Sequence, residues 1–170
     1  MVEHSTIPPV TISYSLPMAT ARWLSPDEQR AWRAYLEATT LLFDALDRQL
    51  QSEAGMPHGY YEILVRLSEA EGRAMRMSDL AEKTRSSRSR LSHAVARLQE
   101  RGWVERAGVP NDRRGQIARL TDEGFAVLAD AAPGHVQAVR SAVIERLTPE
   151  QIGQLERIGQ AIVAGLAEPG

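Results

Sequence analysis

Met77-Ser78-Asp79-Leu80-Ala81-Glu82-Lys83-Thr84-Arg85-Ser86-Ser87-Arg88-Ser89-Arg90-Leu91-Ser92-His93-Ala94-Val95-Ala96-Arg97-Leu98-Gln99-Glu100-Arg101-Gly102 contains two amphipathic segments divided by a polar break. Ser78 can cap a short helix carrying Leu80 and Ala81. After a break near Arg85 and Ser86, Ser87 can cap a second helix that runs to Arg101 and stops at Gly102. In that second helix Leu91, Ala94, Val95 and Leu98 follow the i, i+3, i+4, i+7 spacing of a buried stripe. Arg88, Ser89, Arg90, Ser92, His93 and Arg97 are left for the outside. A short helix, a tight break and a second helix form a helix-turn-helix, whose second helix can lie in the major groove of DNA. Arginines near its start suit bidentate hydrogen bonds to guanine or charge-assisted bonds to phosphate, and Ser89, Ser92 and His93 can add shorter contacts. On its own this helix is weak support, because a solvated basic face on any helical bundle looks similar.

The following residues sharpen the reading. Trp103-Val104-Glu105-Arg106 and Gln116-Ile117-Ala118-Arg119-Leu120 read as two short strands around a polar turn that includes Gly108, Pro110, Asn111, Asp112 and Gly115. A hairpin bearing Arg113 and Arg114 directly after a helix-turn-helix is the arrangement of a winged helix. Arginines at such a tip can enter the narrow minor groove, where the negative potential is strongest. Asp112 beside them can steady a guanidinium or serve only as a polar turn residue.

Charge is distributed to match. The 170 residues carry a net charge of −2, yet Arg73 to Arg119 holds twelve basic and five acidic residues, a net +7, leaving −9 elsewhere. A basic middle between acidic arms is the footprint of a polyanion-binding module, although a chance surface stripe would give the same count.

Composition excludes several other classes. At this length, with 43% apolar residues, the chain forms one domain that needs no metal or disulfide to hold its core. Without cysteine there is no thiol switch, thiolate nucleophile or cysteine zinc site. No apolar run spans a membrane and no secretory signal is visible, so the expected compartment is the cytoplasm. No nucleophile elbow, His-Glu-x-x-His pair or dinucleotide fingerprint occurs. A phosphate-binding P-loop is excluded because the sole lysine, Lys83, follows Glu82. The histidines His4, His58, His93 and His135 form no ligand pair at helical spacing, so neither metal nor cofactor is expected. No group can be nominated together as nucleophile, base and orienter, and the chain is not read as an enzyme.

The flanks are helical. Residues 1–24 read as an N-terminal extension without helical period; Met18 is an alternative translation start. Ser25-Pro26-Asp27-Glu28 is a capping box opening a long helix with Trp32, Tyr35, Leu36, Thr39, Phe43, Leu46 and Leu50 on its apolar side, closed by Gly55 and Pro57. A second helix is predicted from about Gly59 to Ala70, with Tyr60, Ile63, Leu64 and Leu67 inward and Gly72 at its end. Thr121 caps a helix predicted to run to about Leu147, kinked or interrupted at Pro133-Gly134. Thr148-Pro149-Glu150-Gln151 opens the last helix, with Ile152, Leu155, Ile158, Ile162 and Leu166 on one side.

Together these motifs resemble the MarR family of bacterial transcriptional regulators. The resemblance rests on Asp112-Arg113-Arg114 leading through a strand into Leu120-Thr121-Asp122-Glu123-Gly124. It is strengthened by Met77-Ser78-Asp79-Leu80-Ala81, Ser87-Arg88-Ser89-Arg90-Leu91-Ser92, Arg97-Leu98 and Arg101-Gly102-Trp103-Val104-Glu105-Arg106. It covers residues 25–166 and implies a mostly α fold with a small two- or three-stranded β wing. Residues 73–120 would form the DNA-binding lobe, 25–52 and 121–166 the dimerisation helices, and 167–170 a C-terminal tail. Arg114 takes the wing-arginine position. The resemblance further implies a homodimeric repressor reading a palindromic double-stranded operator, its half-sites about one helical turn apart. It also implies release of DNA by a small aromatic or anionic effector, for which Trp32, His58 and Tyr61 are the candidate contacts, although such aromatics are more often core residues. The missing cysteines argue against a peroxide-sensing branch. The other reading is a winged helix retained as a protein-interaction module, its basic face docking an acidic partner.

Overall fold

The computed structural model describes residues 22–109 and 112–167, without the side chains of 109 and 112–114. The expectations for residues 1–21 including Met18, for the wing-tip residues Pro110 and Asn111, for the side chains of Asp112, Arg113 and Arg114, and for 168–170 therefore lie outside the described residues. Six helices and three strands follow in the order α1 (Pro26–Ala54), α2 (His58–Ser68), β1 (Ala74–Arg76), α3 (Met77–Lys83), α4 (Arg88–Glu100), β2 (Val104–Val109), β3 (Asp112–Leu120), α5 (Asp122–Ala142) and α6 (Pro149–Ala167). The chain divides into two compact units, Met1–Glu37 and Ala38–Gly170.

Local signals set most boundaries. At the start of α1 the Glu28 amide donates to the Ser25 hydroxyl at 3.2 Å and the Ser25 amide to the Glu28 carboxylate at 2.6 Å. The Ser25 amide, and secondly the Ser25 hydroxyl, favour the ionised carboxylate and hold it below its usual range. The same reciprocal pair, Gln151 amide to Thr148 hydroxyl and Thr148 amide to Gln151 side chain, opens α6. Ser87 caps α4 by accepting from the Arg90 amide at 3.3 Å, a bond whose loss costs such helices about 1 kcal/mol. Gly102, at φ +75°, turns the chain out of α4 in a conformation that costs a side-chain-bearing residue.

The second unit has one core. Leu50 and Met56 meet Ile63, Leu64 and Leu67 of α2, Leu80 of α3, Leu91, Val95 and Leu98 of α4, Val104 and Ala118 of the sheet, and Leu128 of α5. Burying each large member contributes roughly 1.5–3 kcal/mol. The antiparallel sheet has the order β1-β3-β2, with Ala74 opposite Arg119 and Val104 opposite Leu120, and a register shift at Gly108/Val109.

Three expectations need correction. Ser78 does not cap α3; the cap position is Arg76, two residues earlier, and the Ser78 hydroxyl donates to Asp79 instead. Of the two or three strands expected, the wing has three; β1 is entered through Gly72 and Arg73, both in the left-handed region at φ +60° and +53°. That arginine's strained backbone is held by its side chain, 3.1 Å from the Asp122 carboxylate and 3.8 Å above the Phe125 ring. Pro133-Gly134 does not interrupt α5, which ends instead at Ala142, followed by a short 3₁₀ turn at Ile144–Arg146. In α2 the buried tyrosine is Tyr61, whereas Tyr60 is half-buried.

Candidate nucleic-acid interface

The helix-turn-helix is built from α3 and α4. Between them the Ser86 amide donates to the Ala81 carbonyl at 2.9 Å and the Thr84 hydroxyl to the Leu80 carbonyl at 2.8 Å, while Arg85 takes φ +50°. Leu91, Val95 and Leu98 face the core, which turns the opposite side of α4 to solvent. Arg88, Ser89, Arg90 and His93 are all exposed there, and Ser92 is half-buried. The side chains of Arg88, Arg90 and His93 are exposed and make no hydrogen bond or ion pair with the described residues. A groove of about 450 Å³ runs from α4 to the wing, lined by Arg76, Met77, Ser78, Arg88, Ser92, Gly115 and Gln116.

Other basic residues already have partners within the protein. Arg97 lies 2.8 Å from Glu100, which holds its guanidinium more firmly protonated. That pairing separates it from the unpaired group ahead of it on the helix. Arg101 donates to the Gly55 carbonyl and Arg119 to the Gly72 carbonyl, each at 3.0 Å. From β2, Arg106 donates to the main-chain carbonyl of Ser92. Charge counting could not separate these bracing arginines from outward-facing ones. For Arg106 the period-two pattern of the strand was the available signal, since it places Arg106 on the same face as buried Val104.

The candidate effector residues fall in different places. Trp32 is half-exposed on α1 in the first unit, stacked on Tyr35 with ring centroids 6.1 Å apart. His58 and Tyr61 are brought together in the second unit by His135, whose ring centroid is 5.7 Å from that of His58 and 4.4 Å from that of Tyr61. Phe43 approaches His58 edge-on at 5.7 Å. Asp47, which sequence reasoning missed, accepts the His58 amide at 2.8 Å and so caps α2, where Pro57 offers no side-chain acceptor. Burial pushes the Tyr61 hydroxyl up from its ordinary value. Among the described residues no third histidine, aspartate or glutamate completes a metal-binding group with the imidazole pair.

Burial, and secondly the neighbouring His58, pushes His135 below the ordinary imidazole value of 6.5. The unfolded chain then binds this proton more readily than the folded one. The resulting stability is intact above pH 6.5 and is lost as pH falls through that value toward the depressed folded one. The urea midpoint is expected to fall more between pH 7 and pH 5 in the wild type than in His135→Gln. Equal falls in the two proteins would remove His135 as the cause.

A helix-turn-helix with an arginine-bearing second helix and a β-hairpin beyond it defines the winged-helix class of DNA-binding proteins. Comparison with known proteins narrows the class. The MarR family model matches residues 54–115. The crystal structure of Sco3205, a MarR family transcriptional regulator from Streptomyces coelicolor solved in complex with DNA, is 56% identical; the match covers 88% of this chain and 94% of that one, with a TM-score of 0.85. AbsC, a MarR family regulator from the same organism, is 44% identical over 86% of this chain and 98% of its own, with a TM-score of 0.81. The transcriptional repressor MprA of Escherichia coli K12 is 25% identical over 134 residues, 79% of this chain and 75% of MprA. The chain belongs to the MarR family of transcriptional regulators; it is a regulator and not an enzyme. None of its described helices is long and apolar enough to cross a membrane.

Proposed function

We propose that this regulator is a cytoplasmic homodimeric repressor that reads a palindromic double-stranded operator. One observation carries the DNA reading: Arg88, Ser89, Arg90 and His93 stand exposed together on α4, beside a groove leading to the wing. Arg88, Arg90 and His93 are assigned to the major groove with Ser89 and Ser92 in support, Arg97 to phosphate, and Arg113 with Arg114 to the minor groove. The DNA complex of the related Sco3205 supports the partner, and the repressor name of MprA supports the direction of control.

The dimer is supported by apolar surface that the single chain leaves open. No residue of α6 is buried, and Leu155, Ile158, Ile162, Val163 and Leu166 are between 40% and 81% exposed. Side chains of this kind at helical spacing favour a second copy. A small aromatic or anionic effector is assigned to the rings and imidazoles around His58 and Tyr61, which offer stacking surface and hydrogen-bond donors. Titration of phenolic acids followed by tryptophan fluorescence tests this site together with Trp32, the third candidate contact, and no saturable change with any of them would leave the effector unsupported.

Selection of bound duplexes from a random DNA library tests this reading. Wild type is expected to enrich a palindrome. Arg114→Ala is expected to bind it more weakly, and the slope of log K against log salt is expected to fall by about 0.9 if that side chain neutralises one phosphate. An unchanged slope assigns Arg114 to a base. If no duplex is enriched at any salt concentration, the DNA reading fails, and capture of an acidic protein by the same face becomes the reading to pursue.

A further inference from the structure

The wing is tied to the recognition helix at two points. At the helix C-terminus the Trp103 amide donates to the Leu98 carbonyl at 3.0 Å. Six residues back along α4, about 9 Å at 1.5 Å per residue, the Ser92 carbonyl accepts from Arg106. The first link lies beside Gly102, whose φ of +75° marks a sharp change of chain direction. The base of the hairpin is also fixed by Val104 and Ala118 in the core and by β1 paired to β3; the Arg106 bond adds a polar link farther along, beside the groove that Ser92 lines.

The chemistry of the second link suits that position. Alternation along β2 places Arg106 on the face of Val104, which is buried, and opposite Ala118, which is fully buried. An apolar side chain would satisfy packing at such a position. Arg106 instead extends its guanidinium to a mid-helix carbonyl, whose second lone pair stays available after the helical bond. Its Nε is buried and has no partner among the described residues, so the group is inserted between strand and helix rather than solvated. Beyond this point α4 and the strands part to form the groove lined by Arg88, Ser92, Gly115 and Gln116.

We propose that Arg106 is a positioning residue. Its hydrogen bond to the Ser92 carbonyl holds the wing at the angle that lets wing and α4 engage the minor and major grooves at once. This rests on the DNA reading above. With its guanidinium committed to the Ser92 carbonyl, Arg106 acts in this proposal through the wing arginines and not as a DNA contact.

A double-mutant cycle on the full-length protein tests it, using the duplex that wild type selects. Arg106→Met is expected to weaken binding roughly ten- to hundredfold, but to cost far less once Arg114→Ala has already removed the wing contact. Arg106→Lys, which retains the charge and one reachable donor, is expected to recover part of the loss and carries the cycle if the methionine variant does not fold. Repeating the selection with Arg106→Met should erase preference at the base pairs outside the α4 contacts and preserve it at the centre of each half-site. A purely structural role would lower the thermal midpoint without altering that pattern. Additive losses, or a uniform loss across all positions, would overturn the proposal while leaving the DNA reading intact. Failure of wild type to select any duplex would instead overturn the reading and the proposal with it.

Discussion

Gly124→Ala is expected to lower the thermal midpoint by roughly 10 °C, corresponding to about 3 kcal/mol or more in a domain of this size. Gly124 lies in the first turn of α5, and a Cβ there would overlap the Trp103 carbonyl oxygen and stand 2.9 Å from both its carbon and a Leu120 methyl. The obstacle is backbone that is already fixed: the Trp103 carbonyl accepts the Thr121 amide at 3.1 Å, and the Thr121 hydroxyl donates to the Gly102 carbonyl at 2.7 Å. Because the same hydroxyl caps α5 by accepting the Gly124 amide at 3.0 Å, α5 cannot retreat without losing its cap. The comparison is Gly134→Ala, where the obstructing atom is the end of the flexible Glu53 side chain. That substitution is expected to be neutral or slightly stabilising, since alanine favours the helix by up to about 1 kcal/mol over glycine. Differential scanning calorimetry of both variants decides the point, and equal shifts would mean that close approach to Trp103 does not limit this packing.

The contrast between these glycines shows where sequence stops being legible. Gly102, Ser25, Ser87, Thr121 and Thr148 act locally, through their own φ angles or through amides two or three residues away, and the structure uses them as read. The role of Gly124 depends on the carbonyl of Trp103 across the junction of wing and α5, so spacing could identify the motif without explaining it. Strand β1 escaped because its three residues are too few to show alternation, and it is strand only through pairing with β3. Charge counting was blind for the same reason. Arg73, Arg97, Arg101, Arg106 and Arg119 all counted toward a basic footprint, yet each is bonded to a group of the protein itself. His58 and His135 met only through the packing of α2 on α5, which no periodicity could announce.

Removing Arg88 and Arg90 together should separate binding from stability. A good bidentate contact to a base discriminates by about 1–3 kcal/mol, so losing two should weaken operator binding by roughly 30- to 25,000-fold. Stability is expected to move the other way or not at all. The first turn of α4 contains no acidic residue, and its exposed arginines lie at the positive end of the helix dipole, where cations are unfavourable by a few tenths of a kcal/mol. Alanine removes that repulsion and keeps the cap, because Ser87 accepts from the Arg90 main chain and not from its side chain. The arginines are therefore placed where they slightly weaken the fold, as expected of residues retained for an outside partner. Fluorescence anisotropy with the selected duplex and calorimetry on the same preparation measure the two quantities. Retained affinity would move the recognition surface away from this turn of α4. A thermal midpoint that falls in step with affinity would make these arginines part of the fold instead.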